Sequence, residues 1–126
     1  MRRLRTLFDR LPWRTIFWVA MGAITFLALM PWSQELPKPF RIWDKLNHFA
    51  AFVTLSWLLL LAYRPATWIT IGSLTLYGAI IEGIQYFLPW RSADWTDLAT
   101  DALAAAIGVL LWRLLMRGAL RDAAHR

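Results

Sequence analysis

Long apolar runs with almost no charge are the feature that most limits how this chain can fold. Four such runs follow one another, from Thr15 to Gln34, Leu46 to Tyr63, Ala66 to Trp90 and Leu98 to Met116. A helix needs about 20 residues to cross a bilayer, so these runs match the length of spanning helices. A chain of 126 residues then has room only for short connections between them. The sequence therefore predicts an all-α, polytopic membrane protein, a four-transmembrane-helix bundle in a single domain over residues 1–126.

The composition supports this class and excludes several others. Apolar residues make up 59% of the chain and the mean hydropathy is +0.43, above the roughly 45–50% apolar content of an ordinary soluble domain. The absence of cysteine excludes disulfides, thiolate catalysis and Cys-ligated zinc or iron–sulfur sites. The net charge of +6 would indicate a nucleic-acid partner only if it formed a basic face on a soluble fold. We therefore expect the lipid bilayer as a partner, no nucleic acid and no cofactor.

Prolines and isolated charges give the predicted bounds of the spans, about 14–32, 46–63, 66–88 and 98–116. The first run ends at Pro31 without the small-x-small pattern of a signal-peptide cleavage site, so we expect a retained helix. Pro65 and Pro89 follow the second and third runs. The fourth run contains Asp101 and Arg113. Arg113 is long enough to reach the headgroups, whereas Asp101 is short and should face the protein interior or the interface.

The basic residues give the orientation, because they concentrate on the cytoplasmic side of membrane proteins. With the N-terminus inside, ten would lie on the inner side and four on the outer side. The ten are Arg2, Arg3, Arg5, Arg10, Arg14, Arg64, Arg113, Arg117, Arg121 and Arg126, and the four are Lys38, Arg41, Lys45 and Arg91. The sequence therefore predicts short basic tails with both termini cytoplasmic.

Polar residues gather on the predicted outer side, where the second and fourth spans begin and the third ends. They are Asp44, Lys45, His48, Glu82, Gln85, Arg91, Asp97 and Asp101. Residues three or four apart share one face of a helix, and each of these helix ends carries one such pair. Glu82 is the deepest acid, roughly 10 Å below the end of its helix. An ionised acid within a span costs on the order of 3 kcal/mol, so we expect a partner for it among His48, Lys45 and Arg91.

The same residues also have structural explanations. Asp97 can favour the first turn of the fourth helix through the helix dipole. Arg91 can be a loop residue that pairs with Asp94. A single ion pair between helices would need only two polar residues, whereas this cluster has four: Glu82, Gln85, His48 and Asp101. We therefore predict a polar binding pocket on the outer face.

The order and spacing of these residues resemble a known family. The blocks are Asp44-Lys45-x-x-His48-Phe49, then Glu82-x-x-Gln85-x-Phe87, then Pro89-x-Arg91-x-x-x-x-x-Asp97-Leu98, followed by x-x-Asp101 and Gly108. From Pro31 to about Leu111 the chain is similar to the VanZ-like membrane proteins, although many of those have Asn where this chain has Asp101. The resemblance implies a small integral protein of the bacterial cytoplasmic (inner) membrane, with teicoplanin resistance at the founding member of the family.

Several functions are compatible with the outer pocket. The first is binding of a lipid-linked or cell-wall-related envelope molecule, with Lys45 and Arg91 facing its anionic groups. The second is an intramembrane enzyme, a hydrolase or phosphoryl transferase acting on a lipid, in which His48 or Glu82 is the general base. No nucleophile signature accompanies these candidates. Further alternatives are a proton or ion path, disfavoured because the polar groups lie on one side, and a structural subunit.

Two expectations complete the hypothesis. A hard metal held by Glu82, Asp97, Asp101 and His48 is chemically compatible with the oxygen-rich cluster, although we expect no metal. Four short helices bury little surface, so a homo-oligomer or an envelope complex is also compatible with the sequence.

Overall fold

Four helices make up most of the chain in the computed structural model, which describes residues 10–31, 40–91 and 93–124. Helix α1 spans Trp13–Leu29, α2 spans Phe40–Tyr63, α3 spans Thr67–Phe87 and α4 spans Trp95–Ala124. At residues 40–44 and 123–124 the structure describes the backbone alone. No strand occurs in the described ranges, so the all-α prediction is confirmed for them.

The predicted and observed helix bounds agree best for α3, whose apolar run has a proline on either side. Helix α3 was predicted at 66–88 and spans Thr67–Phe87. Helix α1 ends at Leu29, earlier than predicted, because Met30 precedes a proline and adopts an extended backbone with φ −73° and ψ 150°. Helices α2 and α4 are longer than their apolar runs. Their extra turns contain charged residues, so hydropathy alone does not include them.

Three of the helices are long and apolar enough to cross a membrane. These stretches are Lys45–Tyr63 within α2, Thr67–Phe87 and Trp95–Asp122 within α4. Helix α1 has 17 residues and is a shorter apolar helix. Three helices thus have the length and composition of spanning helices. That they cross a bilayer, and that α1 is a fourth span, stay predictions.

Helix α3 buries Glu82 and Gln85, while most of its large exposed side chains are apolar. Its buried stripe, spaced as one face of a helix, is Thr70, Leu74, Tyr77, Gly78, Ile81, Glu82 and Gln85. Its exposed surface includes Trp68, Leu76, Ile80 and Phe87. A helix in water would show the opposite pattern, whereas a helix in lipid must keep its ionisable groups within the protein.

The bundle has two ends, which we name after the prolines there. The Pro65 end contains the start of α1, the end of α2 and the start of α3, and α4 also ends on that side. The Pro89 end contains the end of α1 and the connection between α3 and α4. At the Pro65 end, Arg14 Nε donates to the carbonyl of Ala62 at 3.5 Å and Trp18 Nε1 donates to the Tyr63 hydroxyl at 2.9 Å. Helices α1 and α2 are therefore antiparallel neighbours.

Helices α2 and α4 approach closely at Gly108. A Cβ atom at this position would lie against Ser56 Oγ and 3.3 Å from Val53 Cα. Trp57 Nε1 donates to the Gly108 carbonyl at 2.8 Å, which ties the two helices together at the same level. Small residues thus let these backbones meet, as expected for packing between membrane helices. A Cβ atom at Gly83 would have nothing within 4 Å of it, so Gly83 takes no part in such a contact.

Candidate functional site

The last turn of α3 and the connection that follows it cap the C-terminus of α1. Gln85 Nε2 donates to the carbonyl of Ala28 at 2.8 Å, Trp90 Nε1 to that of Leu29 at 3.1 Å, and Arg91 Nη2 to that of Leu27 at 3.0 Å. The Met30 N–H donates to the carbonyl of Phe26.

The last four carbonyls of a helix have no partner within that helix, and in lipid they need one. In α1 these are the carbonyls of residues 26–29, and each of them accepts one of the four hydrogen bonds described above. The cation of Arg91 also lies at the negative end of the α1 dipole, where positive charge is favourable. Two residues predicted to bind a ligand, Gln85 and Arg91, thus have a structural contact as well.

His48 and Asp101 lie next to each other where α2 and α4 pack together. His48 Nδ1 lies 3.5 Å from Asp101 Oδ1, and Asp101 is 1% exposed. Asp101 Oδ1 has no hydrogen-bond partner among the described residues, so the 3.5 Å contact is electrostatic. A Cβ atom at Gly78 would be 2.8 Å from Asp101 Oδ2, so the carboxylate lies directly against the α3 backbone. Gly78 is the residue that leaves room for this acid.

A cavity of about 460 Å³ lies beside this pair, between α1, α2 and α3. Its walls are mainly apolar and include Ile24, Phe52 and Ile81, and its polar lining includes His48 and Arg91. We name it the His48 cavity. The Nε of Arg91 is buried and has no hydrogen-bond partner among the described residues. One donor of this guanidinium is therefore left over after Nη2 has capped α1.

Glu82 belongs to a different cavity, also of about 460 Å³, between α3 and α4. We name it the Glu82 cavity; Ala79, Tyr86 and Asp94 are among its lining residues. Glu82 is 7% exposed, and its Oε2 accepts the backbone N–H of Asp94 at 3.0 Å. Its Oε1 is buried without a hydrogen-bond partner among the described residues. The partner we expected from His48, Lys45 or Arg91 is thus a backbone amide instead.

The remaining candidates lie around the start of α4. Lys45 Nζ donates to Thr96 Oγ1 at 3.0 Å. Asp97 is half-buried in the first turn of α4 and, like His48 and Asp101, lies within electrostatic range of Glu82. The side chain of Asp44 lies outside the described residues. The structure thus brings the described candidates to the Pro89 end, and their binding of a ligand stays a prediction.

Asp94 caps α4. Its Oδ1 accepts the backbone N–H of Thr96 at 2.9 Å, the contact of an N-cap residue with the second residue of a helix. This hydrogen bond lowers the pKa of the Asp94 carboxyl below its ordinary value, because it favours the charged form. The suggested pair between Arg91 and Asp94 is not formed, since Arg91 reaches α1 instead.

Sequence reasoning did not identify Tyr77 and Asn47 as site residues, and both line the His48 cavity. The Tyr77 hydroxyl lies 2.6 Å from Thr25 Oγ1 and donates to the Met21 carbonyl at 3.3 Å, which joins α3 to α1. The helical spacing from Gln85 back through Ile81 to Tyr77 would have placed Tyr77 on the same face. In the described ranges, no three His, Asp or Glu side chains are grouped closely enough to hold a metal ion.

Comparison with known proteins identifies the family. Neither the curated proteins nor the solved structures include a match to this chain. The family model VanZ/LLP1 matches residues 5–116, which include α1, α2, α3 and most of α4. The match confirms the resemblance seen in the sequence motifs, and the membrane-length helices agree with a membrane protein. The chain belongs to the VanZ/LLP1 family.

Proposed function

We propose that this protein binds an amphiphilic, anionic envelope molecule, of the lipid-linked kind, in the His48 cavity. The observation that carries the proposal is Arg91, which lines the cavity and whose buried Nε has no hydrogen-bond partner among the described residues. A buried donor without an acceptor costs about 1–3 kcal/mol, more when it is charged. A phosphate or carboxylate of a ligand would supply the acceptor.

The other walls of the cavity suit the apolar part of such a ligand. Phe52 is 3% and Ile81 4% exposed, so the cavity is lined by side chains of the protein core. Its volume of about 460 Å³ lies in the range of small-molecule sites, roughly 300–1,000 Å³. The polar headgroup of such a ligand would contact Arg91, and its hydrocarbon chain would contact the apolar walls.

The proposal is tested by binding of a short-chain polyprenyl phosphate to the detergent-solubilised protein, with the neutral polyprenol as matched ligand. Ala51→Leu places a larger apolar side chain in the His48 cavity without removing a polar group, and Ala79→Leu does the same in the Glu82 cavity as its control. We expect the phosphate to raise the melting temperature of the native protein and of Ala79→Leu, and to have little effect on Ala51→Leu. Equal shifts in both variants would exclude the His48 cavity as the site.

Arg91 is tested separately because it also caps α1. Arg91→Gln should weaken the phosphate about tenfold to a hundredfold, as expected when a charge-assisted hydrogen bond worth about 1.5–3 kcal/mol is lost. Affinity for the neutral polyprenol should change little. A parallel loss of both affinities would mean that the variant has disturbed the α1 cap and that Arg91 does not select the anionic group.

The orientation forms part of the proposal. We place the protein in the bacterial cytoplasmic membrane with both termini inside, so that the His48 cavity lies toward the outer face. The cysteine-free chain permits single cysteines at positions 38, 64, 93 and 120. An impermeant thiol reagent added outside should label positions 38 and 93 but not 64 and 120. The reverse pattern would move the cavity to the cytoplasmic face.

Membership of this family also supports a role in the response to glycopeptide antibiotics. Production of the protein in a susceptible bacterium should raise the inhibitory concentration of teicoplanin, and Ala51→Leu should abolish the increase. An unchanged inhibitory concentration with the native protein would remove this part of the proposal and leave ligand binding to be judged by the melting temperatures.

The contact between His48 and Asp101 favours one alternative, an intramembrane hydrolase or phosphoryl transferase. A carboxylate near Nδ1 orients an imidazole and stabilises its protonated form, which is the arrangement of a general base. His48 and Glu82 line different cavities, so His48 is the better candidate. Conversion of a polyprenyl phosphate or diphosphate by the purified protein, abolished in His48→Gln, would establish catalysis. Binding without turnover would leave the binding function.

A further inference from the structure

A basic groove lies at the Pro65 end, opposite the His48 cavity. It has a volume of about 710 Å³ and is formed by the end of α2, the start of α3 and the last turns of α4. Arg64, Arg113 and Arg117 line it together with apolar residues such as Leu60 and Met116. No carboxylate is among its described lining residues, so its positive charge is not neutralised within the groove.

The groove lies at the boundary of the apolar spans. Arg64 directly follows Tyr63, the last residue of one membrane-length stretch, and Thr67 begins the next. Trp112, an amphipathic side chain of the kind enriched at membrane interfaces, also lines the groove. These positions place the three arginines at the depth of lipid headgroups.

The chemistry of the lining fits an anionic phospholipid. Guanidinium groups bind phosphate oxygens in a bidentate geometry, and a basic pocket between membrane helices is a suitable site for such headgroups. The start of α3 adds to the positive potential, because Ala66 provides no side-chain cap and the first turn contains no acid. The apolar side chains Leu60, Met116 and Leu120 would contact the acyl chains.

We propose that the groove formed by Arg64, Arg113 and Arg117 binds the phosphate headgroup of an anionic phospholipid. This site requires that the helices span a bilayer and does not depend on what the His48 cavity binds. The apolar walls distinguish a phospholipid from free phosphate, since only the lipid brings hydrocarbon to cover them.

The test compares two double variants that each remove two positive charges. Arg113→Gln with Arg117→Gln removes two arginines from the groove, and Arg10→Gln with Arg121→Gln removes two exposed arginines outside it. Binding of phosphatidylglycerol and of phosphatidylcholine to the delipidated protein in a neutral detergent is measured by native mass spectrometry. Circular dichroism checks that both variants keep their helical content. Inorganic phosphate serves as a third ligand.

We expect the native protein and the Arg10/Arg121 variant to retain phosphatidylglycerol in preference to phosphatidylcholine. The Arg113/Arg117 variant should bind phosphatidylglycerol about thirtyfold more weakly, at about 1 kcal/mol for each arginine near the headgroup. Equal binding of the two lipids, or an equal loss in both variants, would overturn the proposal. Saturation of the site by inorganic phosphate at the same concentration would overturn the assignment to a lipid.

Discussion

Replacement of Gly108 by alanine tests the close approach of α2 and α4, the two helices that carry His48 and Asp101. A Cβ atom at Gly108 would lie against Ser56 Oγ, 3.2 Å from Ser56 Cβ and 3.3 Å from Val53 Cα. Rotation of the Ser56 hydroxyl can remove the first contact only. Carbon atoms pack at about 3.5–4.0 Å, so the helices would have to separate by several tenths of an ångström.

The expected free energy follows from two opposing effects. Overpacking of this kind costs about 1–3 kcal/mol, while alanine is favoured over glycine within a helix by about 1 kcal/mol. Gly118, in the same helix, has nothing within 4 Å of its Cβ position and provides the matched control, because alanine there gains the helix propensity alone. The two variants should therefore differ in free energy of unfolding by about 1–3 kcal/mol, with Gly108→Ala the less stable.

The assay is unfolding of the detergent-solubilised protein by titration with sodium dodecyl sulfate, followed by circular dichroism. Ser56→Gly, introduced into Gly108→Ala, removes both Ser56 atoms that would meet the new Cβ. The double variant should therefore lose less stability than the two single changes together. Equal unfolding free energies for Gly108→Ala and Gly118→Ala would refute the close approach of the two helices.

Three further predictions concern single contacts. Gln85→Leu leaves the Ala28 carbonyl without its donor and should lower the free energy of unfolding by about 1–3 kcal/mol, measured by the same titration. An unchanged free energy of unfolding would mean that water or another group replaces the amide. Arg64→Gly should raise the melting temperature in detergent without lipid. Arg64 has a left-handed backbone with φ 50°, which costs any residue except glycine about 1 kcal/mol. A lower melting temperature would contradict this reasoning. Asp94→Ala should reduce the loss of thermal stability as the pH falls below about 4. The pKa of Asp94 is lowered in the fold, so its stabilising effect is present above the unfolded pKa and disappears as the pH falls through the lower, folded value. The same pH dependence in the variant would show that other carboxylates cause the loss.

The class of the protein and the approximate positions of its helices could be predicted from the order of the residues alone. The apolar runs and the prolines after them are local properties, and they placed α3 at 66–88 against the observed Thr67–Phe87. The motifs are local as well, and the family model confirms the family that they indicated. The polar turns that extend α4 to Ala124 could not be read from hydropathy, because an exposed helical turn need not be apolar.

The partners of the polar residues follow from the packing of the helices and could not be predicted from the sequence. The sequence showed that Gln85, Glu82 and Arg91 lie near one end of the bundle, but the amide of Gln85 bonds to a carbonyl 57 residues away and Arg91 to one 64 residues away. The structure also places Glu82 and His48 in two separate cavities, whereas the sequence pattern had predicted one pocket for both. The physical reason is that a polar group in a dry interior takes whichever donor or acceptor the packed helices bring within reach, and that choice depends on helix arrangement in three dimensions.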